Sequence, residues 1–162
     1  MKFSNKFIAQ ASIIAALYAA LTILVFSPIS YNPMQIRVAE VLTVLPYITP
    51  AAIPGLFIGC IAANLVSPAG IIDIIFGSLF TLLAAFLTYF VSKTKKPILA
   101  PLPPVLINAF GVSIYLHKLF QLSYLICVLS IAVGEVIACY VLGYPLLRLV
   151  LSNEKLKNIV KL

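Results

Sequence analysis

Residues 71–96 read IIDIIFGSLFTLLAAFLTYFVSKTKK. One carboxylate, Asp73, stands near the start of a run with no other charge as far as Ser92, and three lysines then fall within the four positions Lys93-Thr94-Lys95-Lys96. As a helix, 71–92 rises about 33 Å, enough to cross a hydrocarbon core of roughly 30 Å. The rest of the chain shares this chemistry, with 63% hydrophobic and 9% charged residues among 162 and a mean hydropathy of +1.16. Such a composition excludes a soluble globular domain. It predicts an all-α integral membrane protein whose residues 1–162 form a single transmembrane domain.

Breaks fall at Pro28 to Pro33, Thr49-Pro50, Ser67-Pro68-Ala69-Gly70, Lys93 to Pro97 and His117 to Gln121, where proline, glycine and polar residues interrupt the apolar runs. They predict six transmembrane helices, at 7–26, 37–48, 51–66, 71–92, 98–116 and 122–150. The first follows Lys2 and Lys6 but is too long for the apolar region of a signal peptide, and no small-residue cleavage site clearly follows it. The last is long enough to project from the bilayer. The second, with 12 residues, rises only about 18 Å and reaches partway. Pro46, Pro50, Pro54 and Gly55 crowd its junction with the third, and irregular backbone at membrane depth needs cover from protein or a water-filled cavity.

Six spans put both termini on one side. That side holds Lys2, Lys6, Lys93, Lys95, Lys96, Arg148, Lys155, Lys157 and Lys161, against Arg37 and Lys118 on the other. Cytoplasmic loops carry the excess of Lys and Arg, so both termini are expected in the cytoplasm. The net charge of +7 is then a topology signal, and nucleic acid is not expected as a partner.

Ionisable groups within spans face the bundle interior or water and by default mark a substrate or ion path. Here they are Glu40, Asp73 and Glu135, with Arg37 at a segment edge and Asn64 and Asn108 as neutral companions. On the expected topology Arg37, Glu40, Asn64 and Asp73 converge toward the outside. Asn108 in the outer half of the fifth segment and Glu135 near the middle of the sixth complete a pocket that opens outward. Local explanations compete for some of them. Asp73 suits a helix N-terminus, and Arg37 with Glu40 suits an i,i+3 pair. Glu135, in Ala132-Val133-Gly134-Glu135-Val136-Ile137-Ala138, lies far from either end of its helix and has no such explanation. The lone His117 beside Lys118 reads as a solvated residue of an outer loop, and Cys60, Cys127 and Cys139 read as small packing residues.

Ala11, Ala15 and Ala19 recur every four residues on the first helix, flanked by Ala16 and Ala20. Faces of small residues let helices approach closely. The pattern serves equally for packing inside this bundle or for docking another membrane protein. No Gly-x-x-x-x-Gly-Lys-Ser/Thr phosphate loop is present, so ATP-driven work needs a partner. No nucleophile with a general base and no metal-ligating set is evident. An enzyme, a cofactor and a metal are therefore not expected.

Six strings together resemble the QueT family of substrate-binding S components of energy-coupling factor (ECF) transporters. They are Ala15-Ala16-Leu17-Tyr18-Ala19-Ala20-Leu21-Thr22, Ile36-Arg37-Val38-Ala39-Glu40-Val41-Leu42-Thr43-Val44-Leu45-Pro46, Thr49-Pro50-Ala51-Ala52-Ile53-Pro54-Gly55-Leu56, Leu65 through Phe76, Ala100-Pro101-Leu102-Pro103-Pro104-Val105-Leu106-Ile107-Asn108-Ala109, and Gly134-Glu135-Val136-Ile137-Ala138-Cys139-Tyr140. The resemblance implies a six-helix S component in the plasma membrane. It would capture a scarce nutrient outside the cell and dock on an energy-coupling transmembrane T subunit driven by two ABC-type ATPases, with the alanine motif of the first helix at the docking face.

The substrates so implied are queuosine precursors, 7-deazaguanines such as preQ1, or queuine. The residues are compatible with them. A carboxylate accepts adjacent ring N–H donors, a second carboxylate suits an aminomethyl cation, and an Asn reads a carbonyl and ring edge. Tyr31, Phe110 and Tyr115 offer aromatic faces near the outer ends. A different class of function is a self-sufficient proton-coupled carrier for a polar or cationic solute, with Glu40, Asp73 and Glu135 as its relay.

Overall fold

The computed structural model describes residues 4–25 and 37–160, and every regular element among them is helical. The expected break at Pro28 to Pro33, the aromatic Tyr31, and Lys2 and Lys161 lie outside the described residues. The helices are α1 (Asn5–Leu24), α2 (Val38–Tyr47), α3 (Ala52–Asn64), α4 (Asp73–Thr94), α5 (Pro97–Leu119), α6 (Tyr124–Ser152) and a terminal α7 (Glu154–Val160). α1, α4, α5 and α6 are long and apolar enough to cross a membrane. α6, with 29 residues, rises about 43 Å.

α2 is short, as its 12-residue stretch led one to expect, while α3 is shorter than the expected 51–66. α2 winds as a 3₁₀ helix of ten residues and rises about 20 Å. α3 has 13 residues and rises about 20 Å, ending two residues before the expected 66. Neither crosses a 30 Å core alone. Pro54 sits in the first turn of α3, where its missing N–H breaks no helical bond. At the other end of the bundle α5 runs on to Leu119, so His117 is helical and half-buried, its ring edge-on to Tyr124 at 5.6 Å, rather than in a loop.

Close approaches at glycine hold the bundle together. A Cβ on Gly55 or Gly59 of α3 would come within 2.7 Å of the Ala11 carbonyl oxygen or 2.8 Å of that of Ala15, so α1 and α3 meet almost backbone to backbone. Gly111 of α5 receives the Phe80 ring of α4, and Gly143 of α6 lies against Val41 and Val44 of α2. The surface of the bundle is apolar, with Leu24, Leu65, Ile71 and Leu125 among its most exposed side chains. The interior holds Arg37, Glu40, Asn64, Asp73, Thr81, Asn108 and Glu135. Polar inside and apolar outside is the arrangement a lipid solvent favours.

Three of the described helices widen, α1 at Leu21–Val25 and two more where they meet this polar interior. α4 opens with a π-helical turn, Asp73–Gly77, and the middle of α6 is π-helical over Val136–Gly143. Wide turns of this kind are frequent at functional sites.

Candidate functional site

The buried polar residues form two adjoining groups. One is built round Asp73. Its Oδ2 accepts from Arg37 Nη2 at 2.7 Å and from Ser67 Oγ at 2.6 Å, and its Oδ1 accepts from the Tyr115 hydroxyl. Asn64 Nδ2 donates to the Asp73 backbone carbonyl at 2.8 Å. Gly77 makes room for this packing, since a Cβ there would lie 2.7 Å from Asp73 Oδ1 and 3.1 Å from Asn64 Nδ2. Arg37 therefore pairs with Asp73 across the bundle and not with Glu40, three residues away, which shares only the helical bond from its N–H to the Arg37 carbonyl.

The second group surrounds a cavity lined by Arg37, Glu40, Gly77, Thr81, Asn108, Val112, Ile131 and Glu135. Glu135 Oε1 accepts from Asn108 Nδ2 at 2.9 Å, and Glu135 Oε2 lies 3.3 Å from the Cys139 thiol. Glu40 Oε1 accepts from the Tyr18 hydroxyl. Cys139 Sγ also lies 3.4 Å from Thr43 Oγ1 and 3.5 Å from the Glu40 carbonyl oxygen, joining α6 to α2. Among the described residues, three polar atoms of the cavity lining are buried without a hydrogen-bond partner: Glu40 Oε2, Asn108 Oδ1 and Arg37 Nε. Buried polar groups are nearly always paired, and each orphan costs about 1–3 kcal/mol. Two are acceptors and one is a donor.

The six residues singled out by sequence divide between the groups. Arg37, Glu40, Asn108 and Glu135 line the cavity, while Asp73 and Asn64 stand behind Arg37. Sequence reading passed over Tyr18, Gly77, Thr81 and Cys139. A thiol in an apolar run looks like packing, and tyrosine in a membrane protein is commonest at the interface with water. Only the four-residue spacing of Glu135 and Cys139 hinted that they share a helix face.

The Ala11, Ala15 and Ala19 stripe runs half-buried beside α3, and the exposed small residues of α1 are Ala9, Ser12 and Ala16. The cavity is tight, about 10 Å³, roughly what a single water occupies and far below the roughly 300 Å³ at which ligand pockets begin, so a solute enters only if the helices around it move apart. Its donors and acceptors suit a small polar molecule more than an apolar one.

A family model for QueT transporters matches residues 8–152. The chain belongs to the QueT transporter family. A relative from Lactococcus lactis subsp. cremoris (strain MG1363), named Queuosine precursor transporter QueT, is 39% identical over 84 residues, which cover 51% of this chain and 49% of the relative. The chain thus matches about half the length of that curated relative. No solved structure matches.

Proposed function

We propose that this chain is the substrate-binding S component of an ECF-type transporter, and that it captures a queuosine precursor, a 7-deazaguanine such as preQ1 or queuine, outside the cell. Its partners in this reading are an energy-coupling transmembrane T subunit and two ABC-type ATPases. It sits in the plasma membrane with six helices, the short α2 and α3 among them, and both termini in the cytoplasm. The excess of lysine at the Lys93 to Lys96 turn and beyond Arg148 supports that orientation.

The observation that carries the substrate class is the unpartnered set in the cavity. Among the described residues Glu40 Oε2 and Asn108 Oδ1 lack donors and Arg37 Nε lacks an acceptor. A deazaguanine presents ring and exocyclic N–H donors beside a carbonyl oxygen, and so complements all three. Glu135 is a second carboxylate on the same wall, suited to an aminomethyl cation. Val112 and Ile131 supply apolar faces for the ring. The Asp73 group holds Arg37 from behind.

Thermal unfolding of the purified protein with preQ1, preQ0, queuine, guanine and common vitamins tests this reading, because a bound ligand raises stability by mass action. The expected result is a rise with 7-deazaguanines only. A folded sample that binds none of them overturns the substrate class. Accumulation in liposomes under a proton gradient, with no ATPase present, would replace the S component by the self-sufficient carrier.

Docking in this reading uses the alanine flank of α1, with Ala11, Ala15 and Ala19 at its edge. Ala15 already abuts Gly59, so the cleaner probes are Ala16→Leu and Ala19→Leu. Both are expected to abolish co-purification with the T subunit while leaving deazaguanine affinity unchanged, since close approach needs small residues. Loss of ligand binding in the exposed Ala16→Leu variant would remove α1 as the docking helix.

A further inference from the structure

Tyr18 is wholly buried in the middle of α1, where its hydroxyl is beyond the reach of water. A hydroxyl so placed needs a partner, and it finds Glu40 Oε1, with Cys60 Sγ at 3.8 Å beside it. The contact depends on the glycine of the neighbouring helix, because a Cβ on Gly59 would come within 2.9 Å of Tyr18 Cβ. One oxygen of the Glu40 carboxylate is thus taken by α1. The other, Oε2, belongs to the cavity-lining residue and has no hydrogen-bond partner among the described residues.

Without an anchor, a glutamate reaching toward a ligand loses the freedom of its side-chain torsions on binding. With Oε1 held, the carboxylate plane is set before the ligand arrives. Three contacts converge on the same short helix: Tyr18 on the carboxylate, Thr43 Oγ1 on the Glu40 carbonyl at 2.6 Å, and the Cys139 thiol on that carbonyl at 3.5 Å. Only the first comes from α1.

We infer that Tyr18 is a positioning residue for ligand recognition, orienting Glu40 so that Oε2 accepts a ligand N–H and tying α1 to the occupied site. This rests on the reading of the cavity as the deazaguanine site. Any element that docks on α1 then acts on the same carboxylate, and coupling between the two events is reciprocal.

The test is titration calorimetry with 7-aminomethyl-7-deazaguanine on the purified full chain, comparing the parent, Tyr18→Phe, Glu40→Gln and the double variant. Tyr18→Phe keeps the ring and its packing, and its Kd is expected to weaken roughly tenfold through the lost hydrogen bond. In the Glu40→Gln background the same change is expected to alter Kd less than twofold, since the group it positions is gone. Hydrogen exchange supplies a second readout, independent of how weakly the double variant binds. Ligand is expected to slow exchange of the α1 amides around Tyr18 in the parent and not in Tyr18→Phe.

Equal affinity of the parent and Tyr18→Phe, or a tenfold loss in both backgrounds, would overturn the inference and leave Tyr18 a packing residue. Should Tyr18→Phe fail to fold, 3-fluorotyrosine at this position preserves the shape and alters only donor strength, and an unmoved Kd overturns the inference. A parent that binds no deazaguanine removes the reading of the cavity itself, which separates the two failures.

Discussion

Two groups of buried charge lie side by side in this bundle and are finished to different degrees. Round Asp73 both carboxylate oxygens are occupied, by Arg37 and Ser67 on one and Tyr115 on the other. Round the cavity Glu40, Asn108 and Arg37 each keep one polar atom without a partner among the described residues. The Asp73 carboxylate is complete even though Asn64 Oδ1 beside it has no partner among the described residues, whereas a buried carboxylate left with a free oxygen is costly unless something else completes it. The contrast teaches that a charge inside a membrane helix is not by itself a binding residue. What separates the two kinds is the state of its hydrogen bonds.

The comparison breaks most severely at Asp73. Asp73→Ala leaves the Arg37 guanidinium buried without its counter-charge, and removing one partner of such a pair costs about 3–5 kcal/mol. The expected outcome is loss of folded protein in detergent, read by thermal unfolding and size-exclusion chromatography. A folded Asp73→Ala that has lost only its ligand would move Asp73 into the binding group.

Glu135→Gln attacks the other group and is expected to leave folding intact. It keeps the shape and can keep an oxygen toward the Asn108 amide, but the other carboxylate oxygen becomes a donor and would face a ligand N–H. A loss of about 2 kcal/mol or more in deazaguanine binding follows from the mispaired buried groups, roughly a thirtyfold rise in Kd. Unchanged affinity by calorimetry would make Glu135 structural.

Gly77 belongs to both groups, since it lines the cavity and lets Asp73 and Asn64 close behind it. Gly77→Ala inserts a methyl where the nearest oxygen is 2.7 Å away, and overpacking of this kind costs about 1–3 kcal/mol. Stability and affinity are expected to fall together. A variant that loses one and keeps the other would show the two groups to be independent.

The smallest effect is expected at Tyr115. Tyr115→Phe removes one donor from Asp73, which keeps Arg37 and Ser67. Stability should fall by about 1 kcal/mol, and Kd should stay within twofold of the parent. A large loss of affinity would sink the division between the groups.

Much of the fold was legible in the sequence because its breaks carry a mechanism. Clustered proline, glycine and small polar residues at Thr49-Pro50 and Ser67-Pro68-Ala69-Gly70 favour helix ends, and the helices begin and end within a few residues of them. The carboxylates and Asn108 stood out by contrast with an apolar background. Pairing was not legible. Arg37 has Glu40 three residues away and yet bonds Asp73, 36 residues on, because α2 begins beside the first turn of α4 and no local pattern encodes that. The π-helical stretch after Glu135 leaves no sequence signal either, and it decides where Cys139 points. Tyr18 was hidden for a related reason: its partner lies on another helix and its spacing matches an ordinary apolar stripe.

The tightness of the cavity has a consequence in time. A space of about 10 Å³ between packed helices admits a bicyclic solute only when a helix gives way, and association that waits on such a movement is slowed by it. The same movement is needed for escape. A molecule held this way is caught slowly and released slowly, and it stays seated through the random lateral wandering that precedes a meeting between two proteins in a bilayer.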